Sequence, residues 1–149
     1  MQARLGHLLI VEDSDEDFDT MLEATRIAGV TNEIRRETSG EECLHHLEEL
    51  IRLNHPLPRL VMLDLNTPKG DGREALRSIV LNARLRSLPL VVLSASSNTR
   101  DVSFCYDHGA NAYHIKPVSH PAHLQILKNI FAYWLNCAEL PCYEGSERV

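Results

Sequence analysis

The chain has 149 residues, of which 44% are hydrophobic and 24% charged, with a net charge of −6 at neutral pH. That is a soluble globular composition, long enough for one domain with a real core and too short for two ordinary ones. The acidic balance argues against nucleic acid as a partner, because phosphate backbones are met by basic stripes, and no apolar run approaches the roughly 20 residues of a membrane helix.

No basic-then-apolar N-terminus suggests export. The cysteines, Cys43, Cys105, Cys137 and Cys142, lie far apart except for the last two. Three of them sit in helix-like apolar patterns, where a free thiol behaves as a small hydrophobe, so a reducing cytoplasm is expected rather than a disulfide framework.

In chain order the pattern alternates. The run "HLLIV" (7–11) reads as a first strand, followed by a helix from about Asp15 to Ala28 that Gly29 stops. "NEIRRE" (32–37) is a weaker strand, polar enough for a sheet edge. Ser39 followed by Glu42 is a capping-box signal for a helix to about Leu53. After the break at "HPLP" (55–58), "RLVMLD" (59–64) is the third strand, and Asp71-Gly72-Arg73-Glu74 opens a helix through about Ala83. "PLVVLS" (89–94) is the fourth strand, with a helix from about Asn98 to His108 stopped by Gly109. "NAYHI" (111–115) is the fifth, and Ser119 caps a last helix running to about Cys137.

Five short apolar strands separated by helices imply a parallel sheet covered on both faces. Right-handed crossovers then give an α/β doubly wound three-layer sandwich. In such a sheet, ligands bind outside the carboxyl ends of the strands. The first strand ends in Val11-Glu12-Asp13, the third in Asp64, the fourth in Ser94, and the fifth leads to Lys116-Pro117. Asp64 is the telling residue, since a carboxylate in so apolar a run carries a desolvation cost without structural return. Three carboxylates on one rim repel unless a hard cation joins them, and Mg²⁺ suits oxygen ligands shared with a phosphate. An aspartate so neutralised is a competent nucleophile toward a phosphoryl group, which Ser94 could hydrogen-bond and Lys116 could pair with.

Taken singly these features are weak: an acidic pair after a strand usually marks a helix start, and Lys-Pro usually a turn. As a set, Glu12-Asp13, Asp64, Ser94-Ala95, Tyr113 and Lys116-Pro117 resembles the receiver domain of two-component response regulators, over about residues 6–137. The resemblance implies a flavodoxin-like five-stranded sheet in the order 2-1-3-4-5, one domain over 1–149, and a short tail over 138–149. It implies Asp64 as phosphoacceptor, with Lys116 and Ser94 assisting. Glu12, Asp13, Asp64 and the backbone carbonyl of Asn66 would be the Mg²⁺ site, and Ser94 and Tyr113 the switch. "DLNTPKGDGREAL" with "FAYWLNCAELP" is similar to the single-domain response regulators that serve cyanobacterial phytochromes, which implies a phytochrome-type sensor histidine kinase as partner. Two departures stand out: Thr67 where an apolar residue usually precedes the proline, which would loosen that loop, and Ser94 in place of the commoner Thr.

The eight histidines do not make a zinc pattern: His45 and His46 cannot share a helix face, and His120 and His123 lack an accompanying Cys or carboxylate. "GDG" (70–72) is a turn and helix start rather than a phosphate loop. The rival class is a magnesium-dependent aspartyl-phosphate hydrolase. It needs a second acid two residues past its nucleophile, and that position is Asn66. A phosphorelay intermediate without output of its own, or a scaffold that has lost the chemistry, are the remaining readings. With no output module expected after the last helix, the function anticipated is signalling by phosphorylation-dependent protein contact.

The last helix carries one apolar stripe, Leu124, Leu127, Phe131, Trp134 and Leu135, able to cover the sheet, and a second, Ile126, Ile130 and Tyr133. The helix before it is similarly over-supplied, with Val102 and Tyr106 among its apolar residues. The second stripe is expected either to form a symmetric homodimer through helix four, strand five and helix five, or to lie under the tail "AELPCYEG".

Overall fold

The computed structural model describes residues 6–67 and 72–141. Five strands, β1 (Leu8–Val11), β2 (Ile34–Glu37), β3 (Leu60–Asp64), β4 (Leu90–Ser94) and β5 (Ala112–Ile115), form one sheet in the order 2-1-3-4-5. Every pairing is parallel. The helices are α1 (Asp15–Ile27), α2 (Gly40–Arg52), α3 (Gly72–Leu81), α4 (Thr99–Asp107) and α5 (His120–Phe131). This is the doubly wound sandwich read from the alternating pattern.

Burial follows the strand order. β1, β3 and β4 are buried at every position, while β2 and β5, at the edges, are partly open. Successive side chains of a strand point to opposite faces, so the sheet divides the interior into two cores. Leu9, Val11, Val61, Leu63 and Val92 lie on one face with Cys43, Leu47, Leu76 and Ile79 of α2 and α3. Leu8, Ile10, Met62, Val91 and Leu93 lie on the other with Met21, Leu127 and Phe131 of α1 and α5.

The helix starts are held by side chains that satisfy otherwise unpaired amides. Ser14, Ser39, Asn98 and Ser119 each accept from an amide in the first turn of α1, α2, α4 and α5. The return arm of the expected capping box reaches Thr38, the residue before the N-cap. Glu42 accepts from the amide and hydroxyl of Thr38, at 3.1 and 2.8 Å. Gly29, after α1, has φ of +75°, a conformation costly for any residue with a Cβ. At Gly72 the constraint is space: a Cβ there would meet the Leu65 carbonyl oxygen at 2.5 Å. The start of α3 is thereby seated on the loop leaving β3. Asp71, expected in the helix opening, falls outside the described residues, as does Cys142. Thr67 is buried at the last described position of the loop after β3, with 4% of its surface exposed.

Two expectations for the last helix need correction. Its α-helical stretch ends at Phe131 and continues as a π-helical turn over Ala132–Cys137, closed by the Ala138 amide donating to the Tyr133 carbonyl at 2.8 Å. In that turn Leu135 is buried, and the side-chain amide of Asn136 donates to the carbonyl of Ala28, just past α1, at 3.1 Å. Ile130, assigned to a second, exposed stripe, is only 4% exposed and belongs to the core, and Ile126 packs against the same core. The cause is that α5 lies along α1 as well as on the sheet, so a wider arc of the helix is covered than one sheet face could reach. Of that stripe Tyr133 alone is largely open. A charge at Ile130 would sit unpaired among Leu127, Phe131 and their neighbours, so it would unfold the protein rather than separate a pair of folded copies.

At the opposite end of the sheet from Asp64, His7 and His46 meet edge to face, their Nε2 atoms 3.1 Å apart. Burial, then the neighbouring His46 and Arg35 charges, lower His7 from its ordinary 6.5 to about 4, and His46 is lowered too, chiefly by burial. Between those values the unfolded chain binds more protons than the folded one, so stability falls as the pH drops from about 6.5 toward 4. Urea unfolding across that range should show this acid loss, and it should be shallower in His7→Gln. An equal pH dependence in the two proteins would contradict the assignment.

Candidate acidic site at the carboxyl ends of the strands

The site is assembled by strand ends that lie side by side in the sheet. Glu12 and Asp13 follow β1, Asp64 ends its neighbour β3, Ser94 ends β4, and Lys116 follows β5. Glu12 is 1% exposed and Asp64 6%, whereas Asp13 is open to solvent. Glu12, Asp13 and Asp64 each offer a carboxylate oxygen, all within 4.8 Å of one another. Two unit charges at about that separation repel by on the order of 3 kcal/mol at an effective dielectric of about 20. Burial first, and Asp64 second, push the Glu12 carboxyl up from 4.5 to about 7, against the pull of Lys116.

Lys116 counters that repulsion. Its Nζ donates to Glu12 Oε1 at 3.0 Å, to Asp17 Oδ2 at 3.0 Å and to Asp64 Oδ2 at 3.1 Å. Burial disfavours the ammonium, but the carboxylates of Asp64 and Glu12 outweigh it and raise its pKa, so the cation is secure. The remaining oxygens are oriented by backbone: Glu12 Oε2 accepts from the Ser14 amide at 3.1 Å, and Asp64 Oδ1 from the Asn66 amide at 3.0 Å.

Behind Asp64, the side-chain amide of Asn66 donates to Ser94 Oγ at 3.1 Å, and the same Oγ accepts from the Ser96 amide at 3.1 Å. Tyr113 lies one step further out. Its hydroxyl donates to the Ser96 carbonyl at 2.8 Å, and its own amide donates to the hydroxyl of Tyr106 at 3.2 Å. Ser96 Oγ in turn donates to Asp101 at 2.6 Å, and Asp101 pairs with Arg73 at the start of α3.

The structure therefore brings together Glu12, Asp13, Asp64, Asn66, Ser94 and Lys116, and links Tyr113 to them through Ser96. Val102, Tyr106, Ile126, Ile130 and Tyr133, expected at a copy-to-copy contact, lie on α4, α5 and the π turn, with Tyr106 meeting the network through the Tyr113 amide. Asp17 was not anticipated. In the sequence it is one of three acids in the first turn of α1, where acidic residues are favoured for the helix dipole alone. The secondary role of Asn66 as the donor to Ser94 was likewise invisible, because it depends on two strands 28 residues apart.

The donor set fits a hard divalent cation: three carboxylates, one of them solvent-facing so that water can complete the shell. Glu12, Asp13 and Asp64 are the residues that would hold it. Such a cation would supply charge neutralisation at the Asp64 oxygen and a second contact for an anionic group placed there.

Comparison with known proteins agrees with this geometry. Residues 8–128 match the response regulator receiver domain. The chain is 33% identical to the response regulator Rcp1 of Synechocystis over 135 residues, 90% of this chain and 92% of that protein. It is 34% identical to a probable methanogenesis regulatory protein, FilR2, of Methanothrix harundinacea, covering 90% and 86% of the two chains. Among solved structures it superposes on the Mn²⁺-bound form of Rcp1 with a TM-score of 0.83, at 32% identity, covering 91% of this chain and 99% of that one. On the phosphorylated cyanobacterial phytochrome response regulator RcpA the TM-score is 0.84, at 36% identity, over 91% and 98%. With matched sequence, shared strand order and an acidic cluster at the strand ends, this chain belongs to the response regulator receiver domain family and is related to the phytochrome response regulators.

Proposed function

We propose that the protein accepts a phosphoryl group on Asp64 from the phosphohistidine of a sensor histidine kinase, of the phytochrome type, and signals by the protein contacts that follow. The observation that carries this reading is the pair of restraints on Asp64. One oxygen is held by the Asn66 amide and the other by Lys116, beside Glu12 and Asp13. In the transfer, an Asp64 oxygen bonds to phosphorus while the bond from phosphorus to the kinase imidazole nitrogen breaks. That nitrogen keeps the electron pair, and the product is an acyl phosphate. Mg²⁺, held by Glu12, Asp13, Asp64 and the Asn66 backbone carbonyl, is the cation proposed for the site; the Mn²⁺-bound relative supports a divalent ion there.

The chain's own residues do the rest. Lys116 pairs with the added oxygens as a point charge. Ser94, whose Oγ now accepts from Asn66, has a hydroxyl proton free to donate to the same group. That movement would loosen the contacts through Ser96 to Tyr113, which supports Ser94 and Tyr113 as the switch. The protein acts as phosphoacceptor and not as an enzyme with turnover of its own, since Asn66 offers no acid for a leaving group and is engaged with Ser94. Tyr106, Ile115, Val118 and Tyr133 expose apolar surface on α4, β5 and the chain around α5, and this supports pairing with a second copy through that face.

Three outcomes test the reading. Incubated with Mg²⁺ and a small phosphodonor, wild type should gain one base-labile acyl phosphate and Asp64→Asn none. Because the neutral isostere relieves carboxylate crowding, that variant should melt no lower than wild type; labelling at normal stoichiometry in it would refute Asp64 as acceptor. Mg²⁺ at a hundredfold excess over its Kd should stabilise the unphosphorylated protein by about 2.7 kcal/mol, an effect lost in Asp13→Ala and read as a shift in Tm. For the paired copies, Tyr133→Glu should sediment as a folded monomer where wild type is dimeric, and a wild type monomeric at all concentrations would count against pairing.

A further inference from the structure

Lys116 has three N–H donors, and all three are spent on carboxylates: Glu12, Asp17 and Asp64. To pair with an incoming phosphoryl group, the ammonium must release one of them. The three are not equal. The Glu12 side chain is 1% exposed and that of Asp64 7%, both inside the acidic cluster, while that of Asp17 is 32% exposed and outside it. Giving up Glu12 or Asp64 would strand a buried carboxylate beside another, which is the costly choice. Asp17 can turn to water at little cost.

A second observation lies on α5. His123, on α5, is 6% exposed, and its Nε2 is the only buried side-chain polar atom without a hydrogen-bond partner among the described residues. It is close enough to Asp17 and Lys116 for both charges to act on it. Burial, the largest influence on it, holds the His123 imidazole below its ordinary value, so the ring adds no fixed positive charge to hold Asp17 in place.

We infer that Asp17 is a positioning residue, the exchangeable partner that Lys116 trades for the phosphoryl group, so that its charge restrains acceptance at Asp64. The inference rests on the phosphoacceptor reading above. Asp17 also closes the first turn of α1, its amide donating to Ser14 Oγ at 3.1 Å. That bond uses the backbone, so Asp17→Asn keeps the helix start and the side-chain shape and removes the charge alone. Asp19, exposed on the same helix, makes the matching control, because Asp19→Asn changes net charge equally without touching Lys116.

The experiment is the initial rate of acyl phosphate formation with Mg²⁺ and a small phosphodonor, in proteins whose thermal melts match wild type. Asp17→Asn should accept phosphate about two- to fivefold faster, the range of a partly exposed ion pair. Asp17→Glu should return to the wild-type rate, and Asp19→Asn should stay at it. An Asp17→Asn rate equal to wild type, or an equal gain in Asp19→Asn, would overturn the inference. So would Asp17→Glu behaving like Asp17→Asn. A wild type that takes no phosphate would instead overturn the phosphoacceptor reading beneath it.

Discussion

Buried negative charge at the strand ends is the constraint around which this protein is arranged. Glu12 and Asp64 lie almost wholly out of water and within reach of each other and of Asp13. Burial, with Asp64 beside it, pushes the Glu12 carboxyl up to about 7. A single ammonium, supplied by the loop after the edge strand β5, opposes that push by donating to both carboxylates. The rest of the fold can be read as what is needed to deliver that ammonium and those carboxylates to one place. Parallel strands align their carboxyl ends, and crossover helices return the chain to the same rim each time.

The acidic cluster is a poor stability device. A hydrophobic set of similar volume would hold the sheet at least as well. What the charges provide is an Asp64 carboxylate whose two oxygens are held in place, one by a backbone amide and one by a fixed counter-charge. The hydrophobic cores on the two faces of the sheet supply the rigidity that holds this geometry, with the three central strands fully buried.

Much of this could be read from the amino-acid order, and the exceptions share a cause. The runs ending at Val11, Asp64 and Ser94 are apolar throughout because central parallel strands are covered twice, and Ser39 and Gly29 announce local backbone needs that their neighbours do not alter. Local chemistry of that kind survives folding unchanged. What escaped notice depends on segments far apart in the chain. Ile130 is buried because α1 flanks α5, which no helical wheel of α5 reveals. The π turn at Ala132–Cys137 lets Leu135 enter the core while Asn136 reaches Ala28, an accommodation to α1 rather than a propensity. Asp17 reads as a helix-dipole acid until Lys116, 99 residues later, is set against it. The meeting of His7 with His46 is of the same kind.

The close seating of Gly72 on Leu65 gives the loop behind Asp64 a mechanical connection of its own. With backbone against backbone and no side chain to yield, a displacement of the Leu65 peptide must be answered by the first turn of α3. Arg73 stands next in that turn, paired with Asp101, which holds Ser96. Ser96 is also held from the other direction, by Ser94 Oγ. The loop between β4 and α4 thus hangs on the hydroxyls of Ser94 and Tyr113 and, through Asp101 and Arg73, on a rigid lever made by a helix. A lever of this sort works only while position 72 has no Cβ, so the residue with the least chemistry in the protein fixes how the acidic site is geared to its surroundings.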